Sequence, residues 1–289
     1  MPGRRYIEID VFTDRPLYGN PLAVVVDADG LDTASMQRFA AWTNFSETTF
    51  LLPPSTPEAD YRVRIFTPRQ ELPFAGHPSV GSAFVALHCG RVDPGRTALV
   101  QECAAGLLPV EVSGEGPSRT IRIQAPSARI TPLDAAGIAV LRGALGCPFE
   151  SDPRAVCNGP TWLTCELPDA AQVRALAPDM PAIAALCLER DAVGVCVFGR
   201  GMDADTRMAV RAFCPADGIP EDPVTGSAHA AIGAYLHASG GIGDYGRRYT
   251  ASQGREVGRD GRVAVAVDAD GTVRIGGSCV IVADGMLTV

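Results

Sequence analysis

RIFTPRQELPFAGHPSVGSA, Arg64 to Ala83, returns half a chain later as RAFCPADGIPEDPVTGSA, Arg211 to Ala228. Arg64, Phe66, Pro68 and Pro73 reappear 147 residues on (211 − 64) as Arg211, Phe213, Pro215 and Pro220. Pro78, Gly81, Ser82 and Ala83 reappear 145 residues on (226 − 81) as Pro223, Gly226, Ser227 and Ala228. One repeat pair is too few for a solenoid, which stacks three or more short units. It reads as a duplicated domain whose copies are expected to face one another about a pseudo-two-fold axis. In this register His77 falls opposite Asp222, so titratable side chains stand at matching points of both copies.

The 289 residues suffice for two domains of ordinary size. The crossing is placed between Ala125 and Pro132, giving domains 1–128 and 129–289, with the final strand free to return to the first. A hydrophobic content of 46% and a charged content of 20% describe a globular chain, and no apolar run approaches the length of a membrane span. The start, MPGRRYIEIDVF, passes into a strand pattern without an apolar signal core, which predicts a cytoplasmic location. Net charge is −8 with scattered basic residues, so nucleic acid is not expected as a partner. The nine cysteines are odd in number and lack C-x-x-C or tight Cys/His spacing. Reduced, mostly buried thiols are expected, with neither a disulfide framework nor a metal site. Neither dinucleotide nor nucleotide phosphate-loop motifs occur, so no cofactor is implied.

Short β-branched runs bounded by Gly, Pro or Asp dominate, among them Tyr6–Phe12, Leu22–Val26, Thr48–Leu52, Tyr61–Phe66, Gly194–Phe198 and Val263–Val267. Helices are expected over Asp32–Thr43, over Pro132–Leu145 with Thr131 as N-cap, and over Ala170–Ala177. Strand and helix do not alternate regularly, so the fold class is α+β with mostly antiparallel pairing. Each repeat copy ends in a small-residue helix, Ser79–Cys89 and Thr225–Ser239, narrow enough to be enclosed by sheet as the core of its domain.

Both helices start after prolines, with Gly and Ser leaving the first-turn amides open to an anion. If the copies face one another, a histidine on one and an acid on the other would bind a small carboxylate and exchange protons with it. His77 is the one histidine in a Gly/Pro turn; His88, His229 and His237 lie in helices, where structural roles are the default. Asp222, just before a helix, also fits an N-cap. Glu47 in N-F-S-E-T-T-F sits among Phe45, Phe50 and Leu51, where apolar neighbours would raise its pKa towards a useful range. The residues alone favour the plainer reading of Glu47 as an exposed strand-start glutamate. Asn20 and Ser46 occupy similar turn settings and are binding groups at most.

Four motifs carry a resemblance: D-V-F-T-x-x-P-x-x-G-N-P at Asp10 to Pro21, N-F-S-E-T at Asn44 to Thr48, F-A-G-H-P-S-V-G at Phe74 to Gly81, and E-D-P-V-T-G-S-A at Glu221 to Ala228. In this order, spanning nearly the whole chain, they resemble the PhzF-like family of phenazine biosynthesis, within the diaminopimelate epimerase fold. The resemblance implies two pseudo-symmetric domains, each a curved, mostly antiparallel sheet or barrel around a central helix, commonly in a homodimer. It implies a cofactor-independent isomerase like the family's phenazine enzyme, which shifts a proton along a dihydro-hydroxyanthranilate. Glu47 would be the acid/base, and this reverses the plainer reading above. His77, Asp222 and Ser227 would line the site, orienting amine and carboxylate and assisting transfer, with Ser46, Gly76 and Gly226 nearby. Racemases of the same fold use a cysteine at each helix start; neither start here offers a thiol, and Cys214 reads as structural. A non-catalytic anion-binding protein and a cofactor-independent amino-acid epimerase are the alternatives.

Overall fold

The computed structural model describes residues 3–201, 203 and 205–288. Two compact units emerge, Met1–Gln124 with Gly276–Val289, and Ala125–Ile275.

In the first unit the strand Arg4–Val11 is paired on one side with the last strand, Cys279–Leu287, and on the other with Asn20–Val25, both antiparallel. From there the sheet continues through Thr48–Leu52 (parallel), Tyr61–Phe66 (antiparallel) and a short hairpin to Glu71–Leu72. Tyr61–Phe66 also runs parallel to Ala98–Cys103, which leads antiparallel into Gly106–Ser113 and Thr120–Gln124. A parallel step needs a long crossover. Helix Thr33–Thr43 supplies the first and helix Gly76–His88 the second.

The second unit repeats this succession. Arg154–Cys157 pairs with Arg129–Pro132 and Thr161–Leu167; Thr161–Leu167 runs parallel to Gly194–Arg200, which is antiparallel to Met208–Cys214. A hairpin to Ile219–Asp222 follows, then a parallel step to Arg248–Gln253 and an antiparallel return through Gly261–Val267. Helix Gly226–Ser239 makes that second crossover. Each unit is thus α+β, mostly antiparallel, its sheet curving around a central helix.

The small residues explain how these helices are enclosed. Helix Gly76–His88 packs against five strands of its unit, Arg4–Val11, Asn20–Val25, Thr48–Leu52, Tyr61–Phe66 and Thr120–Gln124. A Cβ on Gly81 would stand 2.5 Å from Leu22 Cδ2 and 2.8 Å from Ile9 Cδ1, so glycine sets the distance of closest approach. Gly233 has the same function in the second unit, against Val273, Val267 and Val265.

The helix limits show where propensity misleads. Pro132 does not open a helix: Arg129–Pro132 is a strand paired with Arg154–Cys157, and the helix is Ala135–Leu145, capped by Asp134 rather than Thr131. Strand pairing takes the residues that local preference gives to the helix. The first central helix begins at Gly76, three residues before the expected Ser79, and helix Ala170–Ala175 stops two short of Ala177. Helix Met180–Glu189 adds to those read from the sequence. No helix among the described residues is long and apolar enough to cross a membrane.

Four outer helices have aspartate N-caps: Asp32, Asp134, Asp169 and Asp179 accept from the backbone N–H of Ser35, Gly137, Gln172 and Ala182 at 2.7–3.1 Å. Such a cap stabilises by about 1 kcal/mol. The two central helices start at Ala75 and Thr225 with no side-chain cap bond and no acid in the first turn.

Candidate active site

The turn before Glu47 is built by the end of helix Thr33–Thr43, where Asn44 adopts the left-handed conformation (φ 56°) and closes the helix through its N–H to Ala40 O. A hydroxyl pair, Thr43 Oγ1 to Thr48 Oγ1 at 3.0 Å, ties this end to the next strand. Glu47 is held between them. Its Oε2 lies 3.6 Å from His77 Nδ1, with the two side chains 18% and 7% exposed. Burial pushes the Glu47 carboxyl up from the ordinary carboxylate range, and a hydrogen bond with the Ser46 side chain partly offsets this. Oε2 is buried without a hydrogen-bond partner among the described residues. A carboxyl so placed keeps its proton to higher pH than a solvated one.

His77 is the second residue of the central helix, whose start has no side-chain cap. Asn20 is buried in the same unit at the start of its strand, opposite Val11. Gly19 before it admits no side chain, since a Cβ would stand 2.4 Å from Val11 O.

The remaining residues belong to the second unit. Asp222 ends the hairpin strand and accepts a hydrogen bond from Thr225 Oγ1. The buried Gln253 amide clamps this turn, donating from Nε2 to Asp222 O and Thr225 Oγ1 (2.9 Å each) and accepting from Thr225 N–H at 3.0 Å. Asp222 therefore braces the turn while Thr225 is the N-cap residue. Gly226 and Ser227 are the first two residues of the helix. Ser227 Oγ accepts from Trp162 Nε1 at 3.1 Å, and Ser227 O accepts from Asn158 Nδ2 at 3.1 Å. Gln253, Trp162 and Asn158 lie 28 to 69 residues from the groups they hold, and no local pattern marks them. His229 is fully buried with Nδ1 2.8 Å from Thr225 O, and desolvation lowers its pKa to about 4, so it is a neutral structural histidine. Burial raises the Cys214 thiol, which leaves it inert.

The strand register corrects one expectation. Ile65 faces Leu72 in the first hairpin and Ala212 faces Asp222 in the second. Since Ile65 and Ala212 are repeat equivalents, Asp222 matches Leu72 and not His77. The helix starts agree, with Gly76 matching Gly226 and His77 matching Ser227. The identities Pro78, Gly81, Ser82 and Ala83 against Pro223, Gly226, Ser227 and Ala228 are therefore five residues out of structural register. The true equivalence carries Glu71 onto Glu221: Arg64 grips Glu71 with two hydrogen bonds of 2.7 Å, and Arg211 grips Glu221 with bonds of 2.9 and 2.7 Å.

Duplicated curved sheets, each around a central helix, place the molecule in the diaminopimelate epimerase-like fold class. A solved PhzF-family protein of Bacillus anthracis superposes with a TM-score of 0.86 at 26% identity, over 100% of both chains. A probable proline racemase of Agrobacterium radiobacter shares the fold (TM-score 0.67, 15% identity, 99% of this chain and 93% of the other). The family model described as phenazine biosynthesis-like protein matches residues 9–285, and the chain belongs to that family. It is 36% identical to the trans-2,3-dihydro-3-hydroxyanthranilate isomerase of Pseudomonas aeruginosa, over 97% of this chain and 98% of the other. It is 38% identical to antisense-enhancing sequence 1 of Schizosaccharomyces pombe, over 93% and 92%. The chain is an enzyme of the isomerase class.

Proposed function

We propose that this isomerase moves a proton between two carbons of a small carboxylate-bearing substrate, with Glu47 as the acid/base and no cofactor. The observation that carries the reading is the half-buried Glu47 carboxyl, its pKa raised, 3.6 Å from a histidine at an uncapped helix start. The ionised carboxylate removes a proton from an acidic carbon, the electron pair delocalises into the conjugated system, and the same carboxyl, exchanging with water in between, delivers a proton further along. No proton or electron is gained or lost overall. A raised pKa serves both halves, because it keeps donor and acceptor forms accessible at one pH. His77 and Asp222 assist the transfer and, with Ser227, orient the amine and carboxylate, and Ser46, Gly76, Gly226 and Asn20 complete the binding groups.

A single base is supported by the second unit, where the position matching Glu47 is Gly194: Thr48 pairs with Phe66 as Val195 pairs with Phe213. A two-base epimerase would want a proton carrier there. The test is incubation with trans-2,3-dihydro-3-hydroxyanthranilate, the compound named for the relative, in deuterated water. Wild type is expected to give isomerised product carrying deuterium, and Glu47→Gln to give none. Binding without exchange would make the protein a receptor, and inverted configuration without a bond shift would make it an epimerase. The proposal extends to a cytoplasmic homodimer, active after dialysis against a chelator, with its mass in solution measured by light scattering.

A further inference from the structure

The hydrogen bond from Trp162 to Ser227 fixes more than a side-chain position. An indole nitrogen only donates, so Ser227 Oγ is the acceptor and its own hydrogen remains to be given elsewhere. Among the described residues no acceptor takes it, and Ser227 is partly exposed while Trp162 is buried. Asn158 holds the Ser227 carbonyl at 3.1 Å, so backbone and hydroxyl are both restrained. The space for the indole comes from Gly194, its direct strand partner: a Cβ there would stand 2.8 Å from the Trp162 ring and 2.3 Å from Phe213 O. The glycine that leaves the second unit without a carboxyl is thus the glycine that admits the tryptophan.

We propose that Trp162 is a positioning residue that commits the Ser227 hydroxyl to donating a hydrogen bond to a carboxylate of the substrate. The proposal rests on the substrate-binding role given to Ser227 above. Without the indole, the hydroxyl could rotate and act as an acceptor, which repels a carboxylate rather than binding it.

The test is a double-mutant cycle with 3-hydroxyanthranilate and its carboxamide as ligands, measured by calorimetry. Trp162→Phe is expected to weaken the acid about tenfold, as a hydrogen bond to a charged group implies, and to leave the carboxamide within about twofold. In a Ser227→Ala background the same change should have no further effect on the acid. Equal losses for both ligands, or full additivity with Ser227→Ala, would overturn the proposal. Should Trp162→Phe fail to fold, the indole N–H resonance of Trp162 in Ser227→Ala decides: a shift supports the bond and an unmoved signal removes it, with the largely exposed Trp42 as internal control. Wild type that binds neither compound removes the carboxylate-substrate reading and this proposal with it. Wild-type binding that Trp162→Phe leaves untouched removes the proposal alone.

Discussion

The second residue of the central helix meets a different partner in each unit. In the first, His77 faces a carboxyl, Glu47; in the second, Ser227 receives a hydrogen from an indole, Trp162, across a glycine that stands where Glu47 would be. Duplication supplied the same frame twice, with the same strand succession and the same Arg–Glu fork before each helix. The position that matches Glu47 in the second copy is a glycine, Gly194. The proposed roles divide in the same way, proton transfer on Glu47 and substrate binding on Ser227.

That division is most directly broken by Glu47→Gln, which keeps shape and removes basicity. A loss of about 10³-fold in kcat is expected, in the range of general acid–base catalysis, with little change in KM. Ser227→Ala should do the reverse, raising KM with kcat nearly kept. Steady-state kinetics on both variants decide it, and a Glu47→Gln enzyme of full activity would end the comparison.

The Arg–Glu forks offer a second contrast, this time in stability. Arg211 and Glu221 are only 8% and 6% exposed and Arg211 also donates to Leu176 O at 2.7 Å, whereas Arg64 and Glu71 are 26% and 31% exposed. Removing one member of a buried pair strands the other charge. Arg211→Met is therefore expected to cost about 4 kcal/mol and Arg64→Met about 1 kcal/mol in urea unfolding. Equal costs would show that the two forks are buried alike in solution.

The Gly/Pro/Ala pattern of the repeat made the central helices and the duplication readable, because close packing against strands leaves few choices of residue. The same pattern misplaced Asp222, since conserving a proline and a small-residue run does not conserve its distance from the hairpin; only the hydrogen-bonded register of Ile65 with Leu72 and Ala212 with Asp222 sets that. The strand Arg129–Pro132 is not legible, its residues reading as a crossing that ends in a helix start at Thr131 and Pro132, because its strand character comes from its partner, Arg154–Cys157. Glu47 needed burial by distant elements to become unusual, and burial is not written in N-F-S-E-T. Trp162, Asn158 and Gln253 were illegible for the same reason.

Gly194 tests whether the asymmetry is built into the packing. A methyl group there would meet a backbone oxygen at 2.3 Å and the indole at 2.8 Å, neither of which can move freely. Gly194→Ala should cost about 2 kcal/mol, as overpacking does, and disturb Trp162 fluorescence. The second unit could not then acquire a carboxyl at this position by simple substitution. A neutral Gly194→Ala would mean that the site is roomier than the strands indicate.

The smallest effect lies in the pH dependence of stability, and its sign reports what surrounds Glu47. Because burial raises the carboxyl's pKa in the folded protein, the native state holds that proton more tightly than the unfolded chain. Stability from this group is full below the ordinary carboxylate range and is lost as pH rises through the raised value. Glu47→Gln has no such proton to lose. The variant should match wild type near pH 4 and exceed it in melting temperature by a margin that opens towards pH 8. A margin of the opposite sign would mean that a charged His77, 3.6 Å away, stabilises the carboxylate more than burial penalises it. In that case the resting enzyme would hold an ion pair, with the carboxylate already in the ionised form that takes the substrate's proton.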